Sequence, residues 1–110
     1  MPTDRLDRLP ATTVLGAPAR RADSPRARLL GLALLDTIPE RSVLLIPRCG
    51  SVHTFGMRFA IDVVFLNRLG VPLRVVESLP PRRAAGCRGA RSVIETRAGE
   101  ARRVLDLAGE

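Results

Sequence analysis

Apolar positions along this chain fall in short blocks separated by Pro, Gly and Arg, and most blocks have the length of β-strands. The strongest is Phe59 to Leu66 (FAIDVVFL), rich in branched and aromatic residues. After the turn residues Asn67 to Gly70 a second apolar block returns over Val71 to Val76, and the pair predicts a β-hairpin. Pro72 has no backbone donor, which puts the return strand at a sheet edge or Pro72 near its start. Ser42 to Ile46 (SVLLI), closed by Pro47, reads as a buried strand, and Ala90 to Thr96 (ARSVIET) as another. Thr12 to Ala17 (TTVLGA), closed by Pro18, reads as the first.

Only one block carries a clear helix start. Ser24 is a good N-cap and Pro25 suits the first helical position. Leu29, Leu30, Leu32, Ala33 and Leu34 follow at spacings that can pack one broad face, so the helix is predicted to run to about Asp36 despite Gly31. Cys49 to Arg58 shows no clean period and reads as an irregular connection; Leu79 to Gly89, dense in Pro, Gly and Arg, reads as a loop. Ala98 to Leu107 is suited to a closing helical turn or short helix. The pattern as a whole predicts a mostly-β fold, a small β-sandwich or barrel of short strands with one packed α-helix. Residues 1–11 are expected to be a flexible leader and 12–110 a single β-rich domain.

Composition narrows this further. A chain of 110 residues has room for one core, and with three Phe and no Trp or Tyr that core must be aliphatic. All eighteen basic residues are Arg, against eleven acids, for a formal charge of +7. Such a domain attracts anions and acidic surfaces. Nucleic acid is disfavoured as a partner, because single-strand binders add aromatic stacking platforms to their charge. No stretch reaches the ~20 apolar residues of a membrane helix, and Met1 to Pro10 has no apolar run of the kind a signal peptide needs. The expected compartment is the cytoplasm, where Cys49 and Cys87 would be free thiols.

The segment SVHTFGMRFAIDVVFL, Ser51 to Leu66, resembles the signature of the family catalogued as domain of unknown function 192. RLLGL at Arg28 to Leu32, the LNRLGVPLRVV hairpin and GARSVIETRAGEA at Gly89 to Ala101 extend the likeness to most of the chain. The resemblance implies a compact β-rich fold with one helix and no established reaction. Many relatives carry a stretch like Trp-Met-Lys-Asn-Thr where this chain has His53 to Met57, so the family implies no metal role for His53.

Candidate chemistry is sparse. Cys49, His53 and Met57 recur at spacings of four, and with Cys87 they form a soft-ligand set suited to copper or zinc. Gly50 and Gly56 oppose a helix there, and an extended strand would spread the three over about 27 Å; core packing of the thiols and Met57 is the favoured reading. Asp62 sits inside the most apolar strand, on the face of Ala60, Val64 and Leu66, and must be hydrogen-bonded or paired, with anchoring of the preceding loop its expected role. A Cys-His or His-Asp pair for hydrolysis lacks any accompanying motif. Arg82, Arg83, Arg88 and Arg91 cluster in a Gly- and Pro-rich loop beside Cys87 that is suited to anions. The function expected is therefore a non-enzymatic binding or accessory module for an anionic ligand or an acidic protein surface, using no cofactor. Arg82, Arg83 and Arg88 would supply charge, His53, Thr54 and Arg58 hydrogen bonds, and Asp62 the support. Soft-metal binding through Cys49, His53, Met57 and Cys87 is the alternative, and a small hydrolase the second alternative. The oligomeric state is not encoded in any recognisable feature.

Overall fold

The computed structural model describes residues 4–33, 35 and 38–108, and it is mostly β. Six strands form one mixed sheet in the order β1-β2-β3-β8-β5-β6, where β1 is Ala11–Val14, β2 Ala17–Arg21, β3 Val43–Pro47, β5 Ile61–Leu66, β6 Pro72–Leu79 and β8 Ser92–Arg97. Two further strands, β4 (Ser51–His53) and β7 (Ala84–Gly86), pair as a separate small sheet. Three short helices complete the chain: α1 (Asp4–Asp7), α2 (Pro25–Leu30) and α3 (Ala101–Ala108). Only β2 and β3 run parallel; the other pairs are antiparallel.

The central strands are buried on both faces, which is why β5 is apolar at every position but Asp62 rather than alternating. Period-2 geometry sends Ile61, Val63 and Phe65 to one face, where they pack with Leu44, Ile46, Val93, Leu32 and Leu35. Val64 and Leu66 go to the other, with Val43, Ile94 and the α3 residues Ala101 and Val104. The β5–β6 hairpin forms as expected, its turn tied by Asn67 Oδ1, which accepts from the amides of Leu69 (2.8 Å) and Val71 (2.9 Å). As Pro72 required, β6 is an edge strand with Pro72 at its start.

Several elements depart from the expected outline. Thr12 to Ala17 is not one strand but the centre of a hairpin: Leu15 (φ +51°) and Gly16 (φ +81°) make a two-residue turn, and Pro18 lies inside β2 before its pairing with β3 begins at Arg20. Two successive positive φ values match the right-handed twist of the flanking strands. Helix α2 has its N-cap, Ser24 Oγ accepting from the Ala27 amide at 3.0 Å, but ends at Gly31 (φ +51°), with Leu29 exposed. Leu34 and Asp36, in the part of the helix expected beyond it, lie outside the described residues. The irregular segment at Cys49 to Arg58 and the loop at Leu79 to Gly89 each hold a short strand, because β4 and β7 find their ladder in one another. Of the expected leader, residues 1–3 lie outside the described residues; Asp4–Asp7 forms a helical turn and Leu6 is buried in the core.

Candidate functional site

The β4–β7 ladder pairs His53 with Ala84 and Ser51 with Gly86, bringing together the two polar segments in which site residues were expected. Thr54, fully buried, clasps them. Its hydroxyl donates to the Pro80 carbonyl at 2.6 Å and accepts from the Arg83 amide at 2.8 Å, while its own amide donates to the Arg83 carbonyl at 2.8 Å. With no exposed surface and its polar groups engaged internally, Thr54 serves the loop. Arg58, Arg82, Arg83 and Arg88 stand exposed, outside the depressions described below.

Asp62 is 1% exposed, and both its oxygens are engaged. Oδ1 accepts from the Ser78 amide at 2.8 Å; Oδ2 accepts from the amides of Gly99 (2.9 Å) and Ala101 (3.0 Å). The carboxylate therefore holds an irregular residue of β6, where Ser78 has φ +53°, and the N-terminus of α3, where free amides and the helix dipole favour an anion. Asp62 does anchor, but among the described residues its partners are Ser78, Gly99 and Ala101, not the preceding loop or His53.

Of the soft-ligand residues, Cys49 and His53 line one pocket, and neither Met57 nor Cys87 lines it with them. Met57 packs into the core on the first face, Cys49 donates to the Ser51 carbonyl at 3.0 Å, and Cys87 lies nearest the Arg88 carbonyl at 3.6 Å. Both thiols are free. Among the described residues no group of three or more His, Cys, Asp and Glu side chains is placed to hold a metal ion.

Two depressions do gather polar groups, and Cys49 lines both. The larger, about 470 Å³, lies where β3 ends, β8 begins and the β5–β6 turn projects; Arg48, Arg68 and Arg91 line it with Cys49, Gly50 and Ala90. Backbone bonds fix this corner: the Arg91 amide donates to the Leu66 carbonyl at 2.8 Å and the Cys49 amide to the Arg91 carbonyl at 3.1 Å. Arg48 reaches the Asp23 carbonyl at 3.4 Å, whereas the guanidinium groups of Arg68 and Arg91 have no partner among the described residues.

The smaller pocket, about 120 Å³, lies beyond the end of α2, and its walls include Arg28, Gly31, Ile46, Cys49, His53 and Glu95. Glu95 is 2% exposed and sits on β8 two residues from Val93, on the same face. Its Oε1 accepts from the Leu32 amide at 3.1 Å, the one hydrogen bond to this carboxyl among the described residues. Burial pushes the Glu95 carboxyl up to about 7, opposed by the Leu32 amide and by the charge of Arg5. His53, half-buried against Phe55 with ring centroids 5.8 Å apart, has an Nδ1 that is buried without a partner. The Arg28 Nε is in the same position. Sequence reasoning passed over Glu95, Arg28, Arg48 and Arg68. For Glu95 the signal was present, an acid inside the apolar strand SVIET. For the arginines there was none, because their proximity comes from three strand ends meeting.

A third concavity, about 430 Å³ and bounded by α1, β1, β2 and β3, sets the arginines Arg20 and Arg41 beside the acidic Asp7. Its Arg20 guanidinium is engaged by the carbonyls of Leu9 (2.9 Å) and Asp7 (3.3 Å).

The family model of domain of unknown function 192 (DUF192, "Uncharacterized ACR") matches residues 11–107. The chain belongs to the DUF192 family. Two solved structures share its fold. One is a protein of unknown function from Novosphingobium aromaticivorans DSM 12444, 15% identical, with a TM-score of 0.69 over 86% of this chain and 74% of that one. The other, from Sinorhizobium meliloti 1021, is named as a proposed transcription regulator; it is 19% identical, with a TM-score of 0.71 over 80% of this chain and 74% of that one. No curated protein matches the sequence. At these identities the likeness to the two structures is one of fold, and the DUF192 family carries no assigned reaction. The described helices include none long and apolar enough to cross a membrane.

Proposed function

We propose that this DUF192 protein is a non-enzymatic binding module that takes a small multivalent anion, a phosphate or polycarboxylate, at the depression lined by Arg48, Arg68 and Arg91. The observation that carries this reading is that three guanidinium groups border one concavity whose lining contains no carboxylate. Planar Arg forks bind phosphate and carboxylate oxygens in pairs, and the small residues Gly50 and Ala90 between them leave room for the anion to approach. The net charge of +7 adds long-range attraction that falls with salt. Arg82, Arg83 and Arg88 then belong to the outer field that steers the ligand. The free Cys49 and Cys87 favour a reducing compartment, and the cytoplasm is the proposed location.

Calorimetric titration with phosphate, pyrophosphate and citrate at low ionic strength tests this. Saturable binding of at least one anion is expected, weakened tenfold or more by Arg68→Ala with Arg91→Ala and only slightly by Arg82→Ala with Arg83→Ala. The reverse ranking, or no saturable binding of any of the three, overturns it.

A further inference from the structure

We propose that the pocket over Glu95 is a second ligand site, built for a small uncharged molecule with a primary-amide head. It follows from how the pocket is made. Gly31 ends α2 directly over the Glu95 carboxyl: a Cβ on Gly31 would lie 2.5 Å from Oε1, so a side chain there would displace the carboxyl from its place. The turn at Gly31 also aims the Leu32 amide at Oε1, which fixes the carboxyl's orientation. Oε1 is thereby satisfied from within the protein and Oε2 is not.

His53 Nδ1 and Arg28 Nε are buried without partners, and Glu95 Oε2 accepts no hydrogen bond from the described residues. Folded proteins pair nearly all buried polar atoms, and two in one small pocket beside an open carboxyl oxygen ask for a common explanation. Arg28 cannot turn freely to solve its own deficit, since its terminal nitrogen already donates to the Arg48 carbonyl. The set needs an acceptor for the Arg28 N–H and at least one donor for Glu95 or His53. An amide offers both on one planar head.

Size and charge select further. A volume of about 120 Å³ corresponds to roughly four waters' share of liquid, or a solute of about five non-hydrogen atoms. Leu29, Leu30, Ile46 and Val52 supply an apolar wall for a short carbon chain. A carboxylate ligand would set a second negative charge against Glu95 inside that wall, whereas an amide would not. The groups facing Glu95 are the Arg5 guanidinium of α1, which bonds the Gly31 carbonyl at 2.7 Å, the Leu32 amide, Arg28 of α2, the Cys49 thiol after β3 and His53 of β4. None of them is a second carboxyl. A ligand N–H that donates to Oε2 stabilises the ionised carboxyl, so binding strengthens as pH rises from 6 to 8.

Propionamide, with five non-hydrogen atoms, is the probe, titrated against the full chain and followed by protein chemical-shift changes. Saturable binding is expected at pH 8, weaker at pH 6, with the shifts centred on His53 and on the Leu32 and Glu95 amides. Glu95→Gln turns a donor toward the ligand's donor and should weaken binding tenfold or more. His53→Ala, on a half-buried residue of a three-residue strand, keeps the test open should Glu95→Gln not fold. Arg68→Ala with Arg91→Ala should leave propionamide binding unchanged, so this inference and the anion reading fail separately. A pocket that holds water only would give no saturable shifts. That result, tighter binding of propionate than of propionamide, or equal binding to wild type and both pocket variants, overturns the proposal.

Discussion

Two buried acids divide the sheet between them, and their surroundings give them opposite characters. Asp62 faces the α3 side with three backbone amides on its oxygens, an arrangement that satisfies a charged carboxylate. Glu95 faces the other side with one amide and little water, and its carboxyl is held up to about 7. The folded state therefore binds a proton at Glu95 more tightly than the unfolded chain, whose ordinary value is 4.5. Stability falls as pH rises from about 4.5 through 7, by up to roughly 3 kcal/mol at the alkaline end. Glu95→Gln keeps an acceptor for Leu32 and carries no charge, so its urea midpoint should match wild type near pH 5 and exceed it above pH 7.5. Parallel midpoint-versus-pH curves for the two proteins would contradict the assignment. Asp62 was legible in the sequence because a carboxylate among Ile61, Val63 and Val64 cannot be left unpaired. Glu95 obeyed the same logic between Ile94 and Thr96, but its strand has Ser92 and Arg97 at its ends and reads as half-polar. What no residue pattern could show is which amides each acid meets, since Ser78, Gly99 and Leu32 are brought in by tertiary packing.

At the scale of elements, local chemistry identified starts and turns better than ends. Ser24 with Pro25 and Asn67 with Gly70 determine their own backbone geometry, and each stands where the pattern put it. Gly31 was read as a weak point within a longer helix; it is the end of α2, and what keeps the position a glycine lies 64 residues away in the chain, at Glu95. On the backbone as it turns there, a Cβ would meet the carboxyl. Gly31→Ala should accordingly cost more than the ~1–2 kcal/mol of placing alanine at positive φ. Chemical denaturation should show a loss of about 3 kcal/mol or more, most of it removed in a Glu95→Ala background where the carboxyl is absent. Additive costs in that double-mutant cycle would mean that backbone conformation alone, not the carboxyl, excludes the side chain. β4 and β7 escaped notice for a related reason. Three-residue strands carry too few positions for a period of two to register, and each is stabilised only by the other.

For the molecule as a whole, contacts of the chain ahead of β1 place the start of the cooperative unit at α1. The chain ahead of β1 holds two Arg and two Asp between Met1 and Pro10 and reads as a solvated leader. Yet α1 lies against the same face of the sheet as Glu95: Leu6 is 6% exposed within the core, and Leu9, one helical turn on, packs against it. Arg5 donates to the Gly31 carbonyl at 2.7 Å, and Arg20 of β2 holds the Leu9 carbonyl at 2.9 Å. Two leucines three apart are too weak a signal to predict a helix, but they are enough to cap a sheet face that α2, stopped short at Gly31, leaves uncovered. If α1 is part of the folded unit, Leu6→Ala opens a cavity in a core of mainly aliphatic side chains. The expected loss is then about 2–4 kcal/mol, with the full protein unfolding in one transition. If residues 4–10 instead dock only loosely, the same substitution should move the urea midpoint by less than about 0.5 kcal/mol equivalent, as surface changes do. Amide exchange separates the two outcomes independently. The Leu9 amide, which donates to the Leu6 carbonyl at 3.1 Å, should exchange as slowly as β5 in the first case and orders of magnitude faster in the second.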